Sequence, residues 1–445
     1  MPTETPMQTL IVNGTVLDPA RNFEAPADVL IENARIAEIA PRGTLKARAP
    51  HARTLDATGC LVTPGLIDIH VHFREPGYEA KETIATGSAA AVAGGFTTVC
   101  CMPNTSPALG DATQIEFVYT QAARAGLCHV LPIGAITKER KGLELAEMAL
   151  MHEAGAVGFS DDGVGVASAA VMMKALQYVK MLGSIITQHC EEPTLSGAGG
   201  GAMNSGPTAV RLGLGGLPAA AEELMIARDI LLNSRIGARY HVQHISTAGA
   251  VDLVRRAKRE TPAANVTAEV TPHHLLLTDE ACATYDSNTK MNPPLRRAED
   301  VAACIAGVVD GTIDCLATDH APHTQEEKEL EFEKAPFGIV GLETALALYA
   351  RALVEPGHLT WLKLIEKMTA APARIMGWGG PRDKGTLAPG SPADLTLIDP
   401  HAAWTIDPAK FRSKSRNTPF AGWKVTARVR ATLVDGRVVY ENGKP

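Results

Sequence analysis

The chain has 445 residues, of which 45% are hydrophobic, 20% are charged and only 4% are aromatic, and its formal net charge is −7. This length allows several domains, or one large α/β barrel with an additional module. The acidic balance and the lack of an arginine-rich stretch argue against nucleic-acid binding and favour a small-molecule substrate.

The N-terminus and the cysteines indicate the compartment. Residues 1–7 contain neither a positively charged region nor an apolar one, and no run reaches the ~18 apolar residues that a membrane span needs. We therefore expect a cytoplasmic protein without membrane contact. The eight cysteines include no CxxC pair, so we expect reduced, mostly buried thiols rather than disulfides or a zinc ribbon.

Both ends of the chain carry short segments in which apolar and polar residues alternate, as in strands of an antiparallel sheet. These segments are 9–14, 28–33, 35–39, 393–398 and 427–436. We predict that residues 1–60 and 385–445 together form one composite β-sandwich domain.

Residues 61–384 follow a different rhythm, in which apolar, β-branched runs alternate with helix-like segments such as 220–229. The eight runs lie near 66–71, 96–101, 129–133, 156–159, 184–187, 239–244, 265–270 and 312–317. Eight strands that alternate with helices predict a (β/α)₈ TIM barrel, an α/β fold. We interpret residues 61–67 as a loop that leads into the first buried strand.

His70 and His72 stand two residues apart at the end of this first strand. In an extended strand, residues i and i+2 point to the same face, so the two imidazoles can hold one metal ion. An HxH pair alone is common, and two histidines that make ordinary hydrogen bonds are the simpler interpretation. The other strand ends change this balance.

Histidines and carboxylates follow most of the other predicted strands, at the end of the barrel where active sites form. They are Asp161 and Asp162 after strand four, His189 after strand five, His241 and His244 around the end of strand six, His273 and His274 after strand seven, and Asp319 after strand eight. Four imidazoles and two carboxylates suffice for two zinc ions.

Three choices among these residues stay less certain on the pattern alone. His244 is preferred to His241 because it lies nearer the strand end and the two point to opposite sides. Periodicity does not separate Asp161 from Asp162. His273 and His274 are expected to be supporting or core groups rather than ligands.

The glycine-rich tract 196–202 fits no phosphate-binding loop and is predicted to be a flexible loop.

Nine ordered motifs resemble those of the bacterial dihydroorotases that use a bridging aspartate, within the amidohydrolase superfamily. They are PGLIDIHVHFREPG, CCMPNTSP, FSDDG, QHCEE, HVQHISTAGAV, TPHHLLLT, MNPPLR, ATDHAPH and PFGIVGLET, and the resemblance spans about residues 8–440. It implies a zinc-dependent dihydroorotase of pyrimidine biosynthesis, which cyclises N-carbamoyl-L-aspartate to L-dihydroorotate and water, and the reverse.

The resemblance also implies roles for individual residues. His70, His72 and Asp319 would hold the first zinc, His189 and His244 the second, and Asp162 would bridge them, which resolves the choice between Asp161 and Asp162. A metal-activated bridging hydroxide would attack the ring carbonyl, with Asp319 as the proton carrier. The implied substrate contacts are His72, Phe73, Arg74, Asn104, Asn292, His323, Phe337 and Gly338, with Arg74, Asn104 and His323 around the substrate carboxylate.

Two other functions stay open. A hydantoinase, dihydropyrimidinase or allantoinase would share the barrel, but those relatives bridge their metals with a carboxylated lysine, and this chain has Asp161 and Asp162 there. An inactive scaffold for aspartate carbamoyltransferase would lose metal ligands, and this chain keeps all six. We expect a homodimer, and an association with aspartate carbamoyltransferase is left open.

Overall fold

The computed structural model describes residues 8–196, 201–378 and 383–443. Most of the predicted flexible tract, residues 197–200, lies outside the described residues. Within those ranges, no helix combines the length and apolar character that crossing a bilayer requires.

The described strands, in chain order, are β1 (Gln8–Val12), β2 (Thr15–Asp18), β3 (Phe23–Glu32), β4 (Arg35–Pro41), β5 (Arg53–Asp56), β6 (Leu61–Pro64), β7 (Leu66–Val71), β8 (Phe96–Cys101), β9 (His129–Gly134), β10 (Gly158–Phe159), β11 (Ile185–Gln188), β12 (Met203–Asn204), β13 (Gly216–Leu217), β14 (Arg239–Val242), β15 (Val266–Val270), β16 (Cys315–Leu316), β17 (Leu395–Asp399), β18 (Trp404–Thr405), β19 (Lys424–Val425), β20 (Arg428–Val434) and β21 (Arg437–Glu441). The described α-helices are α1 (Ile84–Ala93), α2 (Ala112–Ala125), α3 (Met148–Glu153), α4 (Ala169–Leu182), α5 (Pro193–Ser196), α6 (Pro207–Leu212), α7 (Ala219–Ile236), α8 (Ala248–Glu260), α9 (Pro272–Leu276), α10 (Ala298–Asp310), α11 (Gln325–Lys328), α12 (Ala345–Tyr349), α13 (Trp361–Met368) and α14 (Ala370–Met376).

Eight parallel strands form the barrel, in the order β16, β15, β14, β11, β10, β9, β8, β7. Beyond β16 the barrel closes through a parallel bridge between Val71 and His320, where the His72 amide donates to the His320 carbonyl at 2.9 Å. These eight strands overlap the eight predicted apolar runs, so the TIM-barrel prediction is confirmed. The strands form where the sequence is apolar and β-branched, as in Phe96–Cys101 and Val266–Val270.

The helices between barrel strands begin and end at residues suited to those positions. The Asp111 side chain accepts from the amides of Thr113 at 2.8 Å and Gln114 at 3.2 Å, which satisfies two free donors at the start of α2. Gly126 ends the same helix in the left-handed conformation, at φ 62°. Such helices pack over the outside of the barrel and bury its apolar strands.

Strands from both ends of the chain form a single nine-stranded sheet in the order β21, β20, β17, β6, β2, β3, β1, β5, with β4 paired to β3. β6 joins the two ends, because it pairs antiparallel with β17 and parallel with β2. Each face of the sheet buries apolar side chains, around Val62 and Leu397 on one side and around Leu10 and Leu30 on the other. A β-rich module built from both termini is therefore present.

One detail of the predicted organisation is wrong. Leu61–Pro64 is a strand of the terminal sheet rather than a loop, because its backbone completes the ladder between β2 and β17. The predicted boundary between residues 60 and 61 consequently falls inside that sheet. Residues 412–417, which stand within the predicted range 385–445 of the terminal module, contact the barrel loops, with Asn417 bonded to Ala321 and Gly338.

All eight cysteines are free and buried. They lie in the apolar packing of the barrel and the sheet, among them Cys100 and Cys315 inside the barrel and Cys60 in the terminal sheet. The prediction of reduced, buried thiols agrees with this placement.

Candidate metal and substrate site

The barrel mouth, where the strands end, brings together the six predicted metal-ligating residues. We call them the mouth cluster: His70, His72, Asp162, His189, His244 and Asp319. All six are buried, although they come from five different strand ends. They meet because the carboxyl ends of parallel strands lie at one end of a barrel.

Asp162 lies at the centre of the mouth cluster. Its Oδ1 is 3.4 Å from His70 Nε2, 3.7 Å from His244 Nε2 and 3.8 Å from His189 Nδ1. Its Oδ2 is 3.5 Å from His72 Nε2. One carboxylate therefore faces all four imidazoles, as a bridging ligand between two metal ions would.

Asp319 completes the first side of the cluster. Its Oδ1 lies 2.8 Å from His72 Nε2 and 3.5 Å from His70 Nε2. On the second side, His189 Nδ1 and His244 Nε2 are 2.9 Å apart. The cluster thus divides into two adjacent donor sets that share Asp162.

The chemistry of these donors fits divalent metal ions. The buried atoms His70 Nε2 and Asp162 Oδ1 have no hydrogen-bond partner among the described residues. Buried polar atoms without a partner are costly in a folded protein, and a bound cation satisfies them. Imidazole nitrogens and carboxylate oxygens are common ligands of zinc and of related transition metals.

Carboxylate and amide groups outside the cluster orient its imidazoles. Glu269 Oε1 lies 2.6 Å from His70 Nδ1, and its Oε2 lies 3.1 Å from His241 Nε2. Asn104 Oδ1 lies 2.8 Å from His72 Nδ1. A partner on the far nitrogen sets the ring orientation and leaves the other nitrogen for the metal.

Glu191 supports the second side in the same way. Its Oε2 is 3.1 Å from His189 Nε2 and accepts from Asn292 Nδ2 at 2.7 Å. Sequence reasoning missed Glu191 and Glu269. A charged residue inside the strand Val266–Val270 was the available signal for Glu269, and the adjacent HCEE run was the signal for Glu191.

The two aspartates are held in the charged form that binds metals. Burial by itself raises the pKa of Asp162, but the nearby His70 and His244 imidazoles lower it well below its usual value. The pKa of Asp319 is likewise lowered by His70 and His72 despite burial.

The structure decides which side chain of each ambiguous pair faces the mouth. The Asp161 carboxylate points away and accepts from the amides of Ile136 at 2.9 Å and Thr137 at 3.1 Å. His241 Nδ1 lies 2.8 Å from Thr267 Oγ1, and its other nitrogen faces Glu269. Asp162 and His244 are the members that reach the mouth.

His273 and His274 are buried behind the cluster. His274 lies between Thr271 Oγ1, at 2.8 Å from Nδ1, and the Pro293 carbonyl, to which Nε2 donates at 3.0 Å. Burial lowers the pKa of His273 to about 3, so this imidazole is neutral. Neither residue belongs to a described metal-binding group of the mouth, in agreement with the expected supporting role.

Arg74 and His323 lie together beside the mouth cluster. Arg74 Nε donates to the Pro322 carbonyl at 3.2 Å, and its Nη2 is 3.4 Å from His323 Nε2. Burial lowers the pKa of Arg74 to about 10, so the guanidinium still carries its charge at neutral pH. Burial and the charges of Arg74 and Lys81 lower the pKa of His323.

Most other predicted substrate contacts also lie near the mouth. Asn104 Nδ2 donates to Asp162 Oδ2 at 3.4 Å, and Asn292 bonds to Glu191. The amide of Gly338 donates to the Lys290 carbonyl at 3.0 Å, and the Phe337 ring lies 4.7 Å from Lys290 Nζ.

Phe73 is the exception among the predicted substrate contacts. Its ring packs in the core against helix α1, where a Cβ on Gly87 would lie 2.4 Å from Phe73 Cδ1. The structure does not bring the Phe73 side chain to the mouth. Phe73 follows the end of β7, and its side chain points to the opposite side from those of His70 and His72.

Three non-glycine residues of the site have left-handed backbone conformations. The φ angles are 62° at Arg74, 31° at His244 and 47° at Asp319. Such conformations cost about 1–3 kcal/mol each and tend to occur where function requires an exact side-chain direction.

Arg140 is a further residue of the mouth that sequence reasoning missed. Its Nη2 donates to the Asp162 carbonyl, and its buried Nε has no partner among the described residues. It follows a loop after β9, without a local motif to mark it. Its charge lies near Arg74 and opposes protonation there.

Comparison with known families agrees with this geometry. The family described as dihydro-orotase-like matches residues 59–250, and the amidohydrolase family matches residues 235–440. The dihydroorotase of Pelotomaculum thermopropionicum is 53% identical over 98% of this chain and 99% of its own length. That of Anaeromyxobacter dehalogenans is 50% identical over 98% of each chain.

Solved structures add a second comparison. The L-hydantoinase (dihydropyrimidinase) of Arthrobacter aurescens matches with a TM-score of 0.86 at 29% identity, over 98% of this chain and 96% of that one. A D-hydantoinase (dihydropyrimidinase) from Thermus sp. matches with a TM-score of 0.81 at 28% identity, over the same shares. The barrel and the terminal sheet are therefore shared with cyclic-amide hydrolases.

Proposed function

Since this chain belongs to the dihydroorotase family of the amidohydrolase superfamily, we propose that its mouth cluster catalyses the reversible cyclisation of N-carbamoyl-L-aspartate to L-dihydroorotate and water. The observation that carries the proposal is the pair of donor sets around Asp162, with Arg74 and His323 beside them. The donor sets supply the hydrolytic chemistry, and Arg74 and His323 recognise a carboxylate.

Two zinc ions per subunit fit the donor sets. His70, His72 and Asp319 would hold one ion, His189 and His244 the other, and Asp162 both. When bound, such ions supply Lewis-acid chemistry, which lowers the pKa of water and polarises an amide carbonyl. Glu269 and Glu191 keep the far nitrogens of His70 and His189 occupied, so the near nitrogens point inward.

The substrate carboxylate binds beside the cluster. The Arg74 guanidinium offers parallel N–H donors to a carboxylate, and its position next to Pro322 and His323 limits its freedom. Asn104, Asn292 and the Phe337–Gly338 backbone line the rest of the ring site. Because Arg74 is half-buried, water screens its charge pairing with a bound anion less than it would at an open surface.

Asp319 moves the proton in the reaction. Its carboxylate accepts a proton from the attacking water and returns it to the ring nitrogen that leaves, which yields the open-chain ureido acid. In the biosynthetic direction the same carboxylate takes the proton from the ureido nitrogen. The left-handed backbone of Asp319 holds this group 2.8 Å from His72 Nε2.

A hydrolase of uncharged cyclic amides is the alternative that the structural similarity to hydantoinases favours. The two activities differ in the substrate carboxylate, which hydantoin and dihydrouracil lack. Initial rates of the purified protein with dihydroorotate, N-carbamoyl-L-aspartate, hydantoin and dihydrouracil separate them. We expect turnover of the two acids, and a preference for the neutral rings would overturn the proposal.

The metal proposal has a matched pair of variants in adjacent residues. Asp162→Asn removes the shared ligand, whereas Asp161→Asn alters a buried carboxylate of the same loop that faces away. Metal analysis after dialysis should give about two zinc per chain for the wild type and Asp161→Asn, and clearly less for Asp162→Asn. Equal metal content in both variants would remove Asp162 from the ligand set.

The subunit arrangement stays part of the proposal. We propose a homodimer with no nucleic-acid partner, and any association with aspartate carbamoyltransferase is to be tested by copurification. A mass measurement in solution checks the dimer.

A further inference from the structure

Residues 412–417 come from the C-terminal part of the chain, yet they pack at one edge of the barrel mouth and cross from the loop after β7 to the loops after β16. We call them the crossing segment. Ser413, Ser415 and Asn417 are 2%, 4% and 4% exposed, so their side chains are as buried as those of the core. The segment lies between the loop that follows β7 and the loops that follow β16, which carry Arg74 and His323 respectively.

On the β7 side, the crossing segment bonds to residues of the loop before helix α1. Ser413 Oγ donates to Glu82 Oε2, and the Lys414 amide donates to Glu82 Oε1 at 3.1 Å. Ser415 Oγ donates to the Lys81 carbonyl at 2.7 Å. The same Glu82 lies 3.4 Å from His320 Nε2. One buried carboxylate therefore connects the segment with His320, at which the barrel closes.

On the β16 side, the side chain of Asn417 forms three hydrogen bonds. Its Oδ1 accepts from the His323 amide at 3.1 Å, and its Nδ2 donates to the carbonyls of Ala321 at 2.9 Å and Gly338 at 3.0 Å. Its own carbonyl accepts from the Val340 amide at 2.9 Å. One amide group therefore joins the loop of His323 to the loop of Gly338.

These two loops have little freedom to adjust around Asn417. A Cβ on Gly338 would lie 2.5 Å from the Ala321 carbonyl oxygen and 2.7 Å from His323 Cδ2, and Gly338 has φ +155°. Loss of the Asn417 amide would leave the His323 amide and the Ala321 carbonyl without these partners, and the Gly338 carbonyl with Lys328 Nζ at 3.3 Å. The His323 ring, 3.4 Å from Arg74, would lose the backbone anchor that sets its direction.

We propose that Asn417 is a positioning residue for recognition of the substrate carboxylate, acting through the His323 backbone. The inference rests on the proposed function, because it assigns His323 and Arg74 to one carboxylate. It makes the crossing segment part of the substrate site, although the segment holds no group that touches the reacting atoms. Substrate affinity, rather than proton transfer, is the property that it controls.

The test compares Asn417→Ala with Asn233→Ala in the full-length, zinc-loaded enzyme. Asn233 is a matched control, because it is also buried and its side chain also bonds to backbone groups, those of Ala238 and Ala264, near the end of α7. We expect Asn417→Ala to raise KM for dihydroorotate about tenfold or more with kcat changed less than about threefold. Asn233→Ala should lose stability and keep KM.

A double variant tests whether the effect passes through the carboxylate contact. In an Arg74→Met background the carboxylate contact is already broken, so adding Asn417→Ala should raise KM by about twofold or less.

If Asn417→Ala cannot be purified, Asn417→Asp keeps the acceptor for the His323 amide and loses the two donated bonds. It should give a smaller rise in KM, and an unchanged KM in that variant overturns the proposal.

The outcomes separate this inference from the proposed function. Wild-type protein that does not turn over dihydroorotate contradicts the proposed function itself. Wild-type turnover together with an unchanged KM in Asn417→Ala, an equal KM rise in Asn233→Ala, or a full tenfold rise on top of Arg74→Met contradicts only the role of Asn417.

Discussion

The mouth cluster and a second group of histidine and carboxylate side chains differ in how completely their buried atoms are paired. The mouth cluster gathers four imidazoles around Asp162 and leaves buried atoms of His70 and Asp162 without partners. The second group, which we call the seam, joins β9 of the barrel to the terminal sheet. It consists of His129, Lys384, Asp394 and Asp435.

At the seam, the partners of the buried carboxylate are complete. Asp394 accepts from Lys384 Nζ at 3.2 Å and from the Asp435 amide at 2.9 Å, and its Oδ2 lies 3.2 Å from His129 Nε2. The comparison teaches that a His–Asp cluster is not by itself a site. Buried polar atoms that are all paired stabilise the fold, whereas buried polar atoms without partners can bind a ligand.

The two groups also differ in where their backbones adopt positive φ angles. At the mouth, His244 and Asp319 have positive φ, and so does Arg74, the central residue of a tight turn in which the Glu75 amide donates to the Phe73 carbonyl at 2.7 Å. At the seam, Asp435 has φ 48°, but it stands with Gly436 in the two-residue hairpin between β20 and β21, where positive φ is needed. Positive φ at His244 and Asp319 therefore serves side-chain placement, whereas at Asp435 it serves chain reversal.

The largest expected effect is at Asp319. Asp319→Asn should lower kcat about 10²–10⁴-fold in both directions, because an amide neither accepts the proton nor returns it. Initial rates with dihydroorotate and with N-carbamoyl-L-aspartate measure this. Asp314→Asn, at the other end of the same barrel strand and bonded to Lys258, is the control and should keep kcat. Activity within threefold of wild type in Asp319→Asn would remove its assigned role.

Arg74 should show the next largest effect. Arg74→Met loses a charge-assisted contact with the substrate carboxylate. The loss of transition-state stabilisation, obtained from the ratio of the kcat/KM values for dihydroorotate, should be about 2–4 kcal/mol. Hydrolysis of neutral rings, where it is detectable, should change little, so the preference for the acid should collapse. Steady-state rates on both kinds of substrate check this. Normal hydrolysis of dihydroorotate by the variant would exclude the proposed carboxylate contact.

Metal removal tests whether the unpartnered atoms of the mouth, His70 Nε2 and Asp162 Oδ1, belong to a metal site. Zinc at about 100 times its dissociation constant should stabilise the folded chain by about 3 kcal/mol for each bound ion, measured as a rise in Tm over the chelated protein. Asp162→Asn should lose most of this rise, and the seam variant Asp394→Asn should keep it. A rise of equal size in both variants would contradict the contrast between mouth and seam.

Reconstitution tests the identity of the bridging group. Asp162 needs no carbon dioxide to become a ligand, so zinc should restore activity to the metal-free protein equally well with and without bicarbonate. Recovery that depends strongly on bicarbonate would instead indicate a carboxylated lysine. The rate and extent of recovered activity are the quantities to compare.

The smallest expected effect is at the seam. Burial raises the pKa of Asp394, but the hydrogen bond with His129 and the charges of Lys384 and His129 lower it to about 2. A lowered pKa in the folded state stabilises above the unfolded value and loses this contribution as pH falls through the folded one. Asp394→Asn should therefore cost about 2 kcal/mol at neutral pH and little near pH ~2.

Urea midpoints of the wild type and Asp394→Asn across that pH range check the sign. The difference between the two proteins should shrink as the solution becomes more acidic below about pH 4. A difference that grows towards low pH would contradict the assignment of the seam as a stabilising ion pair.

The barrel and much of the site followed from local pattern. Apolar, β-branched runs mark the eight strands, and polar residues that follow them must meet because parallel strands end on one side of a barrel. Family resemblance then named Asp162, Arg74 and His323, and the structure brings these side chains together. The loop assigned to residues 61–67 failed because Leu61–Pro64 pairs with strands distant in the sequence.

By itself, the sequence determined the strand positions, the HxH spacing and the residue types at the strand ends, because these depend on neighbours along the chain. Only the tertiary structure decided the rest. It turned Asp161 towards the amides of residues 136 and 137, placed Glu269 between His70 and His241, and brought Asn417 against the His323 amide. These contacts join residues 24–199 positions apart, and the packing that creates them leaves no periodic trace in the chain.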